Sequence, residues 1–470
     1  MTVRVGIVLA GPLQPAWIRR VIEHVRDAHT LTFITFAEGV ETAALGRRSL
    51  FHRIDELLYS ADGLDLAPVS PLAHAAAPAD VILAFAPFTR PDTEVWTVER
   101  SGFDAFAAGA PHLEAVLRSN GEVIASVTAM PDAISFRRAM SRLGWRTASM
   151  IIHELDAERR PRRRMRQRPA AAPRSARSPL LRSAVNYVKQ QFRDRFTRVQ
   201  WSIAFTFSDP LHLSGYVQCI PPRDRLWADP FVISDNGKAW IFLEEYVYTE
   251  ARGVISVIEA RRDGTWTQPR RVLERPYHLS YPCVFRWNGN YWMVPETQEN
   301  RTIELYRCVD FPMRWELDTV LFRDVNAVDA TVFEHDGRWW MYYATDSGDA
   351  AGFDRLWAFH AASPQGPWIP HRLNPLECDV FGGRPGGRPF VHQGKVVRAT
   401  QVGAPWYGHA MQLRELVALT PEQWDERAIA TIGPEWFPHG TGTHTLNADG
   451  DCAVVDAVRR RLRRSSEPAP

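Results

Sequence analysis

Two short phrases carry carboxylates in settings suited to proton transfer: WADPF (227–231) holds Asp229 beside Trp227, and VDATVF (328–333) holds Asp329 at the matching place. A carboxylate where a buried strand begins either accepts a proton from water or a sugar hydroxyl, or caps the strand entry as an Asp-Pro turn. Two such groups converging on one concave surface meet the demand of glycoside cleavage for a carboxyl pair, whose separation selects inversion or retention. A third acid, Glu296 in MVPET (293–297), closes the next strand and is favoured over Glu244 and Glu245, its counterparts one repeat earlier. Arg384, Arg388 and Arg398, with Gln401, form a polar group further on. Those guanidinium groups either hold a phosphate or carboxylate ligand or pair with Asp229 and Asp329. Pairing would depress the carboxylate pKa values and suit a base better than an acid. Trp227 either stacks on a sugar ring or, like most large aromatics, packs in a core. His278 and His444 stand alone, and no HxH or HExxH spacing points to a metal. No cofactor motif is present either.

These residues recur because the chain repeats itself. WADPFVISDNGKAWIFLEEY (227–246), SYPCVFRWNGNYWMVPET (280–297) and VDATVFEHDGRWWMYYATD (328–346) are the clearest copies, followed by GRPFVHQGKVVRATQ (387–401) and THTLNADGDCAVVDAV (443–458). Each is an apolar run, a Gly-centred turn and a second aromatic or β-branched run, the pattern of a hairpin. Phe231, Phe285, Phe333, Phe390 and Leu446 mark the copies at intervals of 54, 48, 57 and 56 residues. A strand-built period of about 50 residues indicates propeller blades. Five copies predict an all-β five-bladed propeller over 201–457. Its first strands line a central funnel and gather Asp229, Tyr281, Asp329, Arg388 and His444.

The 470 residues allow two or three domains, and a net charge of +2 implies no whole-chain polyanion-binding role. Residues 1–155 have α/β character: a strand in VRVGIVLAG (3–11), a helix over 15–28 with Trp17, Val21 and Val25 on one face, and strands in LTFITF (31–36) and ADVILAFAPF (79–88). That order predicts a Rossmann-like, doubly wound parallel sheet. The turn AGPLQP has one glycine and lacks the nucleotide-binding fingerprint. Residues 156–200 are expected to form a linker with ten Arg over 159–182, then a short amphipathic helix over 183–196 presenting Val185, Val188 and Phe192. The Arg-rich linker is either simply solvated or rests on anionic lipid or nucleic acid, with no sequence-specific nucleic acid binding expected, and the helix beside it either lies on the membrane surface or docks on the propeller. Residues 458–470 are expected to be a basic, disordered tail. Five scattered cysteines argue against a disulfide framework or zinc site. With no signal-peptide pattern and no run long enough to span a bilayer, the cytoplasm is the expected compartment, with peripheral membrane contact as an option.

The ordered motifs WADPF, HLSYPCVF (278–285), MVPET, IELYR (303–307), VDATVF, GPWIPHRLNP (366–375), RPGGRPF (384–390), VVRATQ (396–401) and YGHAM (407–411) resemble the domain N-terminal to the transferase module of plant glucosamine inositolphosphorylceramide transferases. The resemblance covers nearly all of 201–457, and the transferase module is absent. More distantly the segment is similar to the five-bladed propeller of glycoside hydrolase family 43. That family uses an Asp base in the first blade, a pKa-tuning Asp in the second and a Glu acid in the third. Asp229 matches the base. Tyr281 stands where the second Asp is expected, and Asp329 rather than Glu opens the third copy. Residues 1–155 look like a degenerate formyltransferase-type domain in layout; FTRPDTEVWTVERSGFDAFAAGAPHLEAV (88–116) lacks that family's Asn-x-His element and leaves His112 alone. The resemblance implies a carbohydrate-active propeller that binds a glycan or glycoconjugate and cleaves or transfers a glycosyl unit. A glycan-binding module without turnover, within polysaccharide assembly, is the alternative. A formyltransferase-type activity is a third reading.

Overall fold

The apolar run near the amino terminus becomes β1 (Arg4–Leu9), buried at five of its six positions. It is followed by β2 (Leu13–Pro15), α1 (Ala16–Ala28), β3 (Thr30–Phe36), α2 (Leu50–Leu58), β4 (Leu66–Pro68), β5 (Val81–Ala84), β6 (Glu94–Arg100), α3 (Phe103–Ala107), β7 (Leu113–Ser119), β8 (Glu122–Ala129), α4 (Phe136–Asp156) and α5 (Pro179–Phe196). The computed structural model describes residues 2–37, 50–72, 77–156, 179–235, 237–346 and 353–463. The chain divides at Lys189/Gln190 into two units.

In the first unit the main sheet runs β3-β1-β5-β6-β7-β8. β3, β1, β5 and β6 are parallel, whereas β7 and β8 are antiparallel. The expected parallel sheet is therefore corrected to a mixed one. The reversal begins at β7, which returns antiparallel to β6 after the α3 connection, and Asn120–Gly121, with φ values of 47° and 90°, then makes the two-residue turn of the β7–β8 hairpin. α1 buries the expected Trp17, Val21 and Val25, with Ile18 and Ile22. Gly144 of α4 lets that helix close on it: a Cβ there would meet the Trp17 ring at 2.6 Å. α5 starts at Pro179, ahead of the expected 183–196. Its Val185, Val188 and Phe192 are exposed. Most of the Arg-rich run (157–178) and the end of the tail (464–470) lie outside the described residues.

The second unit is a five-bladed propeller. Blade one is β11 (Arg225–Asp235), β12 (Lys238–Val247), β13 (Arg252–Ala260) and β14 (Arg270–Leu273). Blade two is β15 (Ser280–Trp287), β16 (Asn290–Thr297), β17 (Thr302–Asp310) and β18 (Arg314–Arg323). Blade three is β19 (Ala327–His335), β20 (Arg338–Asp346), β21 (Phe353–Ala361), β22 (Ile369–Pro370) and β23 (Glu377–Cys378). Blade four is β24 (Phe390–His392), β25 (Lys395–Val402), β26 (Ala410–Leu419) and β27 (Trp424–Ile432). Blade five joins both ends of the unit: β9 (Thr197–Thr206) and β10 (Val217–Cys219) with β28 (Gly440–Gly442), β29 (Leu446–Asp449) and β30 (Cys452–Leu462). The hairpins of blades two, three and four turn on Asn288–Gly289, Asp336–Gly337 and Gln393–Gly394, all with φ between 49° and 76°.

β30 pairs with β9 residue by residue from Ala453↔Thr206 to Leu462↔Thr197. The expected limits of 201–457 are thus too narrow, and residues 458–462 are strand rather than tail. The closing strand β9 lies ahead of the first repeat copy and takes no part in its period. Aromatic and aliphatic side chains fill the space between blades one, two and three: Phe231, Phe242, Phe285, Trp292, Met293 and Trp315 are all buried there. Each such side chain contributes on the order of 2 kcal/mol by burial.

Candidate functional site

The first three inner strands each break their pairing once: between Ala228 and Phe231, between Ser280 and Cys283, and between Val328 and Thr331. At the breaks stand Asp229, Tyr281 and Asp329, with φ of 49°, 43° and 54°. An L-residue in that region costs roughly 1–2 kcal/mol, and three equivalent bulges re-aim three side chains. All three reach across to other blades. Asp229 meets blade five, Tyr281 meets blades three and four, and Asp329 meets blade four.

Behind Asp229 runs a file of two further residues. His444 Nε2 stands 3.6 Å from Asp229 Oδ1, and His444 Nδ1 stands 2.5 Å from Asp456 Oδ2. Asp456 also accepts from the His444 and Thr445 backbone N–H groups at 2.9 and 3.0 Å and from the Thr445 hydroxyl at 2.6 Å. The Asp229 N–H lies 3.3 Å from it. Trp201 stacks on the His444 ring at 4.0 Å between centroids and fixes its plane. Gly408 makes room for the stack; a Cβ there would sit 2.9 Å from the Trp201 ring. Burial pushes Asp229 well above the usual carboxylate range, against the pull of His444 and with the help of Asp329, Glu244 and Asp456. Burial alone would lower His444, but Asp456 and Asp229 raise it above its ordinary value. Asp456 is held low despite its burial by His444 and the hydrogen bonds it accepts.

The second carboxyl group is set differently. Asp329 Oδ2 accepts from Arg384 Nε at 2.5 Å and from Gln401 Nε2 at 2.7 Å, and its own N–H donates to Glu296 Oε2 at 3.2 Å. Burial and the neighbouring Asp329 push Glu296 well above the carboxylate range, with Arg384 opposing. Glu244, opposite Ala228 across the blade-one bulge, is pushed up to about 8 by burial and by Asp456 and Asp329. Tyr407, half exposed, lies edge-on to His444 and under the Arg384 guanidinium at 4.9 Å. The arrangement offers a clamped carboxyl at Asp329, a proton-holding acid at Glu296, and a carboxyl at Asp229 with an imidazole behind it.

Of the residues singled out in the sequence, the fold brings together Asp229, Asp329, Glu296, Arg384, Gln401 and His444. Tyr281 lies beneath them, fully buried, sharing a 2.9 Å hydrogen bond with Thr331 and accepting the Gly387 N–H at 2.7 Å. His278 flanks Glu244 at 3.4 Å. The other three sit elsewhere. Trp227 is buried against Trp266 in the core between blades one and five. Arg388 spans to the Val284 carbonyl and Asp449. Arg398 is buried in a two-pronged pair with Glu426. Asp456, Trp201 and Tyr407 were not singled out, and Glu244 was ranked behind Glu296. Asp456 is the one charge in the apolar run CAVVDAV, and Tyr407 opens YGHAM.

Among the described residues two groups could hold a metal: Asp229, His444 and Asp456 here, and His24, His29 and Asp156 in the first unit. In the first group the Asp456 oxygens are already committed to N–H and O–H donors, which favours a proton path over an ion.

The Glu244 environment has a consequence for stability. A carboxyl raised from its ordinary 4.5 to about 8 keeps its proton in the folded state while the unfolded chain releases it. Stability therefore falls as pH rises through that window, and the raised His444 acts in the same direction. Glu244→Gln is expected to flatten the fall and to stabilise the ligand-free protein at pH 8 by roughly 1–3 kcal/mol. Urea unfolding at pH 5 and pH 8 measures it; an unchanged pH slope would contradict it.

A family model described as glucosamine inositolphosphorylceramide transferase 1, N-terminal, matches residues 198–434. Among curated proteins, glucosamine inositolphosphorylceramide transferase 1 of Oryza sativa subsp. japonica is 32% identical over 204 residues, 42% of this chain and 27% of that protein. The Arabidopsis thaliana protein of the same name is 32% identical over 203 residues, 42% of this chain and 26% of its own. The chain thus spans about a quarter of the length of the curated relatives it matches. Among solved structures, a family 117 glycoside hydrolase of Zobellia galactanivorans aligns with a TM-score of 0.37 at 13% identity, over 55% of this chain and 90% of that one. A GH43_1 enzyme of Xanthomonas citri aligns with a TM-score of 0.34 at 14% identity, over 45% and 77%.

Proposed function

The chain belongs, through residues 198–434, to the family of the N-terminal domain of glucosamine inositolphosphorylceramide transferase 1, and from that premise we propose that the propeller axis binds a glycan or glycoconjugate and cleaves or transfers a glycosyl unit. In this reading Glu296 gives its proton to the leaving oxygen and Asp229 takes one from the attacking hydroxyl or water. Asp329 does not itself transfer a proton. Clamped by Arg384 and Gln401, it stands beside Glu296 and adds to the burial that raises it. One observation carries the proposal: two buried carboxyl groups lie near one axis, Glu296 beside the Asp329 carboxyl and Asp229 with the His444 imidazole behind it, and that imidazole, drawing Asp229 down against its burial, is what fits Asp229 to accept a proton. Incubating the full chain with glycans and nucleotide sugars, and following products by mass spectrometry, tests it. Binding without any product would make the site a recognition module, a reading favoured by the near-complete burial of Asp329. The first unit, which we read as a formyltransferase-type scaffold without its Asn-x-His element, supports the propeller rather than catalysing.

A glycoconjugate substrate agrees with contact at a lipid surface. No helix among the described residues is long and apolar enough to cross a membrane. α5 exposes Leu181, Val185, Val188 and Phe192 along one face and carries Lys189, Arg193 and Arg195, the composition of an interfacial helix. The full chain is expected to co-sediment with phosphatidylcholine vesicles containing phosphatidylserine, and Val188→Asp with Phe192→Asp is expected to reduce this at least about tenfold. Equal sedimentation of the variant would exclude α5 as the contact.

A further inference from the structure

In the first unit, α1 and α4 end side by side. His24 lies in the last turns of α1, His29 caps its carboxyl end, and Asp156, the last described residue of α4, has a half-exposed carboxylate. Two imidazoles answer it. His24 Nε2 stands 2.8 Å and His29 Nε2 3.1 Å from the same oxygen, Asp156 Oδ1. The rings approach edge to face with centroids 5.6 Å apart, and all three donor atoms lie within 4.8 Å of one another. The His29 side chain is 5% exposed and that of His24 20% exposed, so both rings are held by packing before any ion arrives.

We propose that His24, His29 and Asp156 form a binding site for a zinc-type divalent cation, with its remaining coordination open to water. Two imidazole nitrogens and one carboxylate oxygen are the donor set that borderline cations such as Zn²⁺ prefer over Ca²⁺ or Mg²⁺. Ligand atoms bound at the usual zinc distances sit about 3.3 Å apart in a tetrahedral shell. The 2.8 and 3.1 Å separations need to open by only a few tenths of an ångström to admit the ion. The Val3 backbone N–H donates to the other nitrogen of His29 over a long 3.5 Å; metal at Nε2 places the ring proton on that nitrogen, so loading costs this one weak bond. An ion there ties the ends of two helices that pack on one sheet, and loading is expected to stabilise the first unit.

Metal titration of the full, metal-stripped chain tests this. Isothermal calorimetry with Zn²⁺ is expected to show one saturable site of roughly micromolar Kd, and His24→Ala or Asp156→Asn to weaken it at least about tenfold. Co²⁺ should give the visible bands of a nitrogen- and oxygen-bound ion in the wild type and lose them in His29→Ala. Circular dichroism of each variant guards against loss of fold; Asp156→Asn, at an exposed position, is the gentlest. No saturable binding, or a Zn²⁺ site unchanged in the folded Asp156→Asn and His24→Ala variants, would overturn the assignment.

Discussion

Asp229→Asn is expected to lower glycosyl turnover by about 10²–10⁴-fold, the range that a positioned general base supplies, while glycan affinity changes less than about threefold. The substitution keeps the size of the side chain, and its amide can still meet His444. What it removes is the capacity to accept a proton. The file behind it remains, because Asp456 holds His444 through Nδ1 and Trp201 holds the ring plane. Loss therefore falls on kcat rather than KM. Glu296→Gln removes the proton donor instead and is expected to spare substrates whose leaving group needs no protonation. Mass spectrometry of products, with affinity measured on both proteins, separates the cases. Unchanged turnover in Asp229→Asn would sink its role as base. Lost affinity with no turnover in either protein would leave a binding module.

The repeat made most of this site legible. Asp229 and Asp329 occupy the same place in two copies, and a strand that begins with the same phrase in successive blades brings its first residues to the same axis. What the repeat could not show is which guanidinium meets which acid. Arg384, Arg388 and Arg398 lie within fifteen positions of one another, yet one clamps Asp329, one reaches blades two and five, and one is buried within its own blade. That sorting follows from strand pleat and from packing between blades, neither of which spacing encodes. Asp456 escaped notice because it sits in the second strand of the last copy, where an apolar pattern reads as core. Its partner strand β9 belongs to no copy at all, which also hid the true ends of the propeller. The amino-terminal sheet shows the opposite failing: Asn120–Gly121 is a strong local hairpin signal, and the strand–helix order drew attention away from it. His24, His29 and Asp156 have no motif spacing, since two helix ends far apart in sequence create the cluster.

Arg398→Met carries the largest stability effect expected in the propeller. Arg398 and Glu426 are almost wholly enclosed, joined by hydrogen bonds of 2.8 and 2.7 Å, and Arg414 adds a second cation 3.1 Å from Glu426 while also reaching Glu377. Removing one partner of such a pair costs about 3–5 kcal/mol, mostly because the remaining charge stays buried. Arg414 still faces Glu426, which places the expected cost near the lower end, about 3 kcal/mol. Glu426→Gln added to Arg398→Met discharges the stranded carboxylate and should recover part of the loss, a non-additivity that isolated surface pairs do not show. Arg384→Met behaves differently: its guanidinium borders the axis, Gln401 remains on Asp329, and the expected change lies in catalysis more than in folding. Urea unfolding of the three variants, read alongside glycan affinity, distinguishes the arginine that holds blade four together from the one that tunes the site. An Arg398→Met protein of unchanged stability and lost glycan affinity would return that residue to the ligand.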